Sequence, residues 1–275
     1  MKILKRAFAN SFSNKITLVI LSLIVLTYFL FVTLPILAVF LRIEPDQVNV
    51  QLHNAEIINA IKLSLFTSGV ATSIDLVLAV PTAYFMSTRN FPGKAVFDTL
   101  VDLPIVLPPA VAGVSLLYAF APKGLLGPIL NRLGLTIPGS TIAVIIAEAF
   151  VASPFLLRSA KTGFESMDKD IINSAKMLTG SRLRVFFTVT LPLSIRAVIS
   201  GTMMTWARAM GEFGATLMFA GNLPGITQTM PLAIYVLLYS NPLGGVMLSI
   251  ILIVISFTVL VIVKLIEQKK FGGKQ

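Results

Sequence analysis

Hydrophobic and polar residues follow one another in long blocks along this chain, and six of the apolar blocks are long enough to cross a bilayer. A helical crossing takes about 20 residues, because about 30 Å of hydrocarbon is covered at about 1.5 Å per residue. Lipid admits only helices or closed barrels, and these blocks are too long for barrel strands. The pattern therefore predicts an all-α polytopic membrane protein with spans over residues 16–41, 57–87, 100–121, 140–157, 194–219 and 242–266.

The polar interruption 158–192 keeps a helical periodicity although it lies outside the predicted spans. Apolar residues recur there at spacings of three, four and seven: Ile171, Ile172, Ala175, Leu178 and then Leu183, Phe186 and Phe187. Asp168 is placed to cap a helix beginning at residue 169, and Gly180 is placed to end it. An apolar face outside the bilayer needs a surface to dock against. The sequence predicts either a partner-binding segment or an interfacial helix pair on the headgroups.

Composition agrees with a membrane protein, since 56% of the 275 residues are hydrophobic and only 12% are charged. The net charge of +10 is distributed unevenly. Sixteen Lys and Arg residues lie in the two termini and in the loops 88–99 and 158–192, against three in the alternating loops. This bias predicts cytoplasmic termini, an uncleaved first span, and one transmembrane domain over residues 1–275. It accounts for the positive charge without nucleic acid.

The sequence lacks the residue patterns that are typical of enzyme active sites. Cysteine is absent and His53 is the single histidine, so no metal site is expected. Gly93-Lys94 is followed by Ala95 and Gly273-Lys274 by Gln275, so neither Gly-Lys pair has the Ser or Thr of a phosphate-binding loop. We find no Ser/His/Asp set or carboxylate pair at catalytic spacing. The expectation is a non-enzymatic chain without a cofactor of its own, whose partners bind any ATP and Mg²⁺.

The segment 167–192 resembles the EAA loop of ABC importer permeases, in which Glu-Ala-Ala precedes a glycine and a terminal Ile-x-Leu-Pro. Asn173-Ser174-Ala175 stands at the first three positions, and Thr179 at the glycine, which is displaced here to Gly180. Val189, Leu191 and Pro192 match the end. The resemblance implies that this loop couples to an ATPase through Asp168, Ile171, Ile172, Asn173, Ser174, Ala175, Leu178, Thr179, Gly180, Leu183, Leu191 and Pro192.

A second resemblance is more specific. Residues 206–235 read WARAMGEFGATLMFAGNLPGITQTMPLAIY and are similar to the signature of the molybdate/tungstate branch of ABC permeases, as is the proline-rich stretch 103–120. The resemblance extends over residues 59–235. It implies a homodimeric permease in the cell membrane that works with two cytoplasmic ATPase subunits and an extracytoplasmic oxyanion-binding protein.

Within that signature, Arg208 and Glu212 are four residues apart and can neutralise each other. Ala207, Gly211 and Ala215 repeat at intervals of four, a spacing that allows close helix packing. We expect the set Arg208, Gly211, Glu212, Gly214 and Ala215 either to line the translocation path or to form a structural ion pair and packing face.

Other polar residues also fall inside the predicted spans. Asp75 and Glu148 are expected to be partners of arginine or hinge pins, because carboxylates would repel a dianion. Hydroxyls of Ser64, Thr67 and Thr72 are expected to line the path. Pro104, Pro108 and Pro109 are expected to break or kink the start of the third span, and Asp102 to be solvated near its cytoplasmic mouth.

Two alternatives stay open on the sequence. A sulfate/thiosulfate ABC permease has a similar loop pattern. A stand-alone channel or secondary carrier would not need the loop around Ala175.

Overall fold

The computed structural model describes residues 2–43 and 45–268, and this part of the chain contains helices and no strand. The helices are α1 (Lys2–Phe40), α2 (Pro45–Leu52), α3 (Ala55–Thr88), α4 (Lys94–Val106), α5 (Pro109–Phe120), α6 (Gly127–Arg132), α7 (Thr141–Glu165), α8 (Lys169–Thr179), α9 (Arg182–Val185), α10 (Leu191–Met210), α11 (Gly214–Ala220), α12 (Met230–Ser240) and α13 (Pro242–Gln268). The predicted fold class is confirmed.

The helix α1 belongs to a compact unit of its own, which ends at Val48. Its segment Thr17–Phe40 is a candidate span of 24 residues, close to the predicted 16–41. Nearly all of the side chains along this segment are exposed within the chain. The second unit begins at Asn49 and contains the helices from α3 onward.

Three long helices, α3, α7 and α10, form the centre of the second unit. Small residues let α7 and α10 approach closely. A Cβ built on Gly163 would lie 2.5 Å from the Ala197 Cβ, and one on Gly201 would lie 2.7 Å from the Ser159 Cβ. Without a strong hydrophobic drive between helices in lipid, such close approach favours their association.

The third predicted span, residues 100–121, is not one straight helix. It consists of α4 and α5, which meet at a bend of 114°. Proline lacks the N–H of a helical bond and disfavours a helical residue before it, so Leu107 is extended and α5 begins at Pro109. The predicted proline break is confirmed.

The fifth predicted span, residues 194–219, also differs from the structure. Its helix begins earlier and ends at Met210, after which residues 211–213 break the path before α11. The predicted loop 220–241 contains the apolar helix α12. Among the described residues, five helices are long and apolar enough to span, or six if the bent pair α4–α5 counts as one.

Between α9 and α10 lies one π-helical turn, Phe186–Thr190. The helical path is otherwise continuous, so Arg182–Met210 qualifies as one candidate span of 29 residues. The polar loop is thereby joined directly to the fifth span.

Candidate functional site

The helix α8 has the ends that its sequence predicts. The Asp168 side chain accepts a hydrogen bond from the Asp170 N–H at 2.8 Å, which satisfies one of the free donors at the N-terminus. At the other end Gly180 adopts a φ of +62° and its N–H donates to the carbonyl of Lys176. Glycine adopts this left-handed conformation at little cost, so the chain turns sharply there.

The surface of α8, α9 and the π-helical turn carries apolar side chains that the described chain leaves at least half exposed. Met177 and Leu178 are each 88% exposed, and Leu183 is 72% exposed. Ile171 and Phe187 are also exposed, whereas Ile172 and Ala175 are half-buried. We call the exposed set Ile171, Met177, Leu178, Leu183 and Phe187 the apolar ridge. Exposed apolar groups grouped in this way mark interaction surfaces.

The other predicted coupling residues divide between this surface and the membrane helix. Asn173 and Ser174 are exposed on α8, and the side chain of Thr179 lies outside the described residues. Leu191 and Pro192 are at the start of α10, where Leu191 packs against the core. The loop therefore brings most of the predicted set together, but not the terminal Leu-Pro.

An aromatic cluster holds α9 and the π turn against the core. The Phe186 ring centroid lies 4.7 Å from that of Tyr84 on α3 and 6.1 Å from that of Phe164 on α7. Val185 is fully buried beside it. Sequence periodicity put Phe186 and Phe187 on one apolar face, yet Phe186 is buried and Phe187 is exposed. Tyr84 and Phe164 carry no sequence signal that separates them from other aromatics in spans.

The predicted pair Arg208–Glu212 is present, with Nη2 and Oε2 2.7 Å apart. Glu212 is 1% exposed, and its other oxygen, Oε1, accepts a hydrogen bond from the Ala215 N–H at 2.9 Å. One carboxylate thus joins the end of α10 to the start of α11 across the break. Arg208 remains about one-third exposed, at 31%.

The predicted packing strip Ala207, Gly211 and Ala215 is wrong, because α10 ends at Met210 and the three residues do not share one helix. Gly211 is exposed, while Ala215 is fully buried. Gly214 has a different role. A Cβ on it would lie 2.6 Å from the Pro109 Cβ, so glycine here permits close packing of α11 on α5.

The intramembrane acids do not pair with arginine as predicted. Glu148 accepts a hydrogen bond from Thr67 Oγ1 at 2.9 Å, and Asp75 lies in no ion pair among the described residues. The prediction of arginine partners is wrong for both. Asp102 is also not merely solvated, since its Oδ1 lies 2.6 Å from Arg158 Nε.

The hydroxyls predicted to line a path lie inside the subunit. Ser64 Oγ accepts a hydrogen bond from the Met230 N–H at 2.7 Å, so it fixes the start of α12 on α3. Thr67 is bonded to Glu148, and Thr72 is buried. In this conformation they hold helices together instead of facing an open path.

Comparison with known proteins extends these observations. Residues 76–272 match the family model described as "Binding-protein-dependent transport system inner membrane component". The "Probable transport system permease protein NifC" of Clostridium pasteurianum is 32% identical over 256 residues, covering 93% of this chain and 90% of that protein. The "Molybdenum transport system permease protein ModB" of Escherichia coli K12 is 37% identical over 210 residues, 76% of this chain and 91% of the relative.

The fold is also found in a solved structure. The crystal structure of a bacterial ABC transporter involved in the import of the acidic polysaccharide alginate aligns with a TM-score of 0.65. The alignment covers 90% of this chain and 93% of that one at 16% identity. At this identity the likeness concerns the fold alone.

Proposed function

The chain belongs to the family of binding-protein-dependent transport system inner membrane components, and we propose that it forms the translocation path for molybdate or tungstate in an ABC importer. It is a multi-pass protein of the cell membrane, and the relatives that it matches are transport permeases. In the proposed complex two copies of this chain associate with two cytoplasmic ATPase subunits and an extracytoplasmic oxyanion-binding protein.

The apolar ridge is the observation that carries the ATPase partnership. Leu178 is 88% exposed on a helix whose two ends are both fixed. In water this exposure is unfavourable by about 25 cal/mol per Å² relative to a covered surface. A groove on a cytoplasmic ATPase subunit that received α8 would remove it, in the manner of an amphipathic helix in a hydrophobic groove.

The path from α8 into the membrane supports a mechanical role for that contact. The chain runs from α8 through a short turn into the continuous helix Arg182–Met210. Phe186 ties this helix to α3 and α7 near its cytoplasmic start. Closure of two ATPase subunits would displace α8 and, through these rigid contacts, rock the helices between inward-open and outward-open states.

An external energy source fits the charge of the substrate. Moving a dianion inward against about 100 mV costs roughly twice 2.3 kcal/mol before any concentration gradient. ATP hydrolysis in partner subunits would supply this work, so the chain itself needs no bound nucleotide.

Substrate class is proposed from the ModB relative and from the similarity of residues 206–235 to the molybdate/tungstate signature. Arg208 gives this region a positive group, which Glu212 holds in place. The partial neutralisation by Glu212 would favour passage of an anion over tight retention. Selectivity would then lie mainly in the extracytoplasmic binding protein.

The decisive experiment replaces Leu178 with Asp in the chain co-expressed with its candidate ATPase subunits. A charge placed in a buried contact is expected to reduce ATPase co-purification and molybdate uptake at least tenfold, as central interface residues do. Membrane insertion should be unchanged because Leu178 contacts little within the chain. The matched control is Leu133→Asp, at an exposed leucine outside α8.

Normal transport by Leu178→Asp would contradict the docking assignment. Accumulation of oxyanion by this chain alone in vesicles would contradict the ABC importer and indicate a channel or secondary carrier. Competition of excess sulfate against labelled molybdate separates the sulfate/thiosulfate permease, because only that alternative expects sulfate to block uptake.

A further inference from the structure

A cavity of about 500 Å³ lies where the bent pair α4–α5 diverges from α3 and α7. Its volume is within the range of small-molecule sites. The wall is almost entirely apolar and includes Leu78, Val101, Pro104, Leu116, Phe120 and Phe150. Both helices of the pair, which meet at a bend of 114°, contribute to the wall of this space.

Asp75 is the charged residue in the cavity wall. It is 3% exposed, and it receives no hydrogen bond from the described residues. Thr72, one turn earlier on α3, also leaves its buried Oγ1 without a partner. A buried polar group without a hydrogen bond is costly, and a carboxylate in a membrane helix is more so.

Other buried acids in the same subunit show how the chain treats carboxylates that serve its own structure. Glu212 uses both oxygens, one for Arg208 and one for the Ala215 N–H. Glu148 accepts a bond from Thr67 at Oε1, while its buried Oε2 has no partner among the described residues. Asp75 alone among these three has its carboxylate at a cavity and no donor from the described chain. The described chain therefore supplies no hydrogen-bond donor to the Asp75 carboxylate.

We propose that this cavity binds a hydrophobic amine, with Asp75 as the acceptor of its ammonium group. A cation with N–H donors satisfies a carboxylate through charge-assisted hydrogen bonds. The apolar wall accommodates an aliphatic stem. Anions are excluded by Asp75, so this site is distinct in charge preference from a path for oxyanions.

The bilayer is the source of the ligand that the geometry favours. Ile74, Leu78 and Leu100 line the cavity and are exposed to the outside of the subunit. Asp75 lies near the middle of the 34-residue helix α3, so it is far from the headgroup layers. A phospholipid amine would have to bring its phosphate into hydrocarbon to reach it, whereas a single-chain amine would not.

Binding at this place would affect the bend of the third span. The ligand would contact α4 and α5 on one side and α3 and α7 on the other. Occupancy would therefore stabilise the divergent arrangement of these helices. This effect does not depend on which anion the permease carries.

The test uses the full chain purified in a neutral detergent and radiolabelled dodecylamine as the probe, measured by equilibrium dialysis. We expect one saturable equivalent per chain and at least tenfold weaker binding to Asp75→Asn, because the charge-assisted bonds are lost. Asp46→Asn, at an exposed acid, should bind like the unaltered chain. Ala149→Leu narrows the cavity and leaves the acid in place, so it should also weaken saturable binding.

Dodecanol and phosphatidylethanolamine distinguish the chemistry and the source. Neither excess dodecanol nor phosphatidylethanolamine in phosphatidylglycerol vesicles should displace the labelled amine. Equal displacement by dodecanol would overturn the role of Asp75, and displacement by the phospholipid would overturn the single-chain source. Retained binding in Asp75→Asn overturns the proposal. The proposal is also overturned if the unaltered chain binds no amine and Asp75→Asn loses the dimer.

Discussion

The surface formed by α8 and α9 exposes apolar side chains, whereas the centre where α3, α7 and α10 meet buries carboxylates and hydroxyls. Both regions reverse the usual distribution of side chains. At the centre the chain supplies a partner of its own for two carboxylates, Thr67 for Glu148 and Arg208 for Glu212. On the surface Leu178 and Leu183 lack cover from the described chain. A buried polar group that finds its partner within the chain has a structural role. An exposed apolar side chain that the chain leaves uncovered points to contact with another molecule.

The largest effect is expected at the centre. Arg208→Met leaves the Glu212 carboxylate, which is 1% exposed, without its guanidinium. We expect a loss of about 3 kcal/mol, at the low end for broken buried pairs because Arg208 is partly solvated. The thermal unfolding midpoint in detergent, followed by circular dichroism, measures this loss.

The double variant Arg208→Met/Glu212→Gln is the control for that prediction. Glutamine keeps an oxygen for the Ala215 N–H but carries no charge. It should recover more than half of the lost stability. Equal destabilisation in the single and double variants would mean that the ion pair does not hold the break together.

A smaller loss is expected when a neutral donor is removed from the centre. Thr67→Val deprives the buried Glu148 of its hydrogen bond and should cost about 1–2 kcal/mol. Thr202→Val is the matched change, because the Thr202 hydroxyl donates only to the Val198 carbonyl of its own helix. If both variants unfold at the same temperature, the Thr67–Glu148 contact contributes nothing specific.

At the surface, a substitution at the end of α8 measures the effect of backbone conformation alone, because no side-chain contact is changed. Gly180 has a φ of +62°, and a Cβ on it would meet nothing within 4 Å. Gly180→Ala should therefore cost about 1 kcal/mol through backbone strain alone. Hydrogen exchange in residues 169–179 should quicken about fivefold. Gly69→Ala, inside α3 and equally free of neighbours, should not destabilise.

The smallest effect on stability is expected in the apolar ridge. Leu183→Ser should change the free energy of unfolding of the isolated chain by no more than about 0.5 kcal/mol, since the side chain is 72% exposed. Phe186→Ala, three residues later, should cost about 3 kcal/mol because it empties the aromatic cluster. A large loss in Leu183→Ser would show that the ridge is covered within this chain, and the comparison would fail.

Sequence pattern predicted the elements that depend on neighbouring residues. Block length indicated most spans, and Asp168 and Gly180 marked the ends of α8 to within one residue. The pair Arg208–Glu212 was predicted from helical spacing, although the structure forms it across a helix end. A salt bridge of this reach tolerates the difference because the Arg side chain is long.

Features set by contacts between distant segments were not predictable in this way. Prolines at 108 and 109 indicate a break, but the angle of 114° depends on how α4 and α5 pack on other helices. Ser64 and Thr67 have the polarity of path-lining residues, yet their partners, Met230 and Glu148, are 166 and 81 residues away in the chain. A single sequence does not reveal which side of a helix meets such partners.

The π-helical turn Phe186–Thr190 alters the phase between the cytoplasmic loop and the fifth span. Such a turn holds one residue more than an α-helical turn, so side chains after it are rotated by about 100° from the frame set before it. A heptad count that is continued through this turn therefore places every later side chain on the wrong side of the helix. One inserted amino acid thus determines which flank of α10 faces its neighbours when α9 is seated by Phe186.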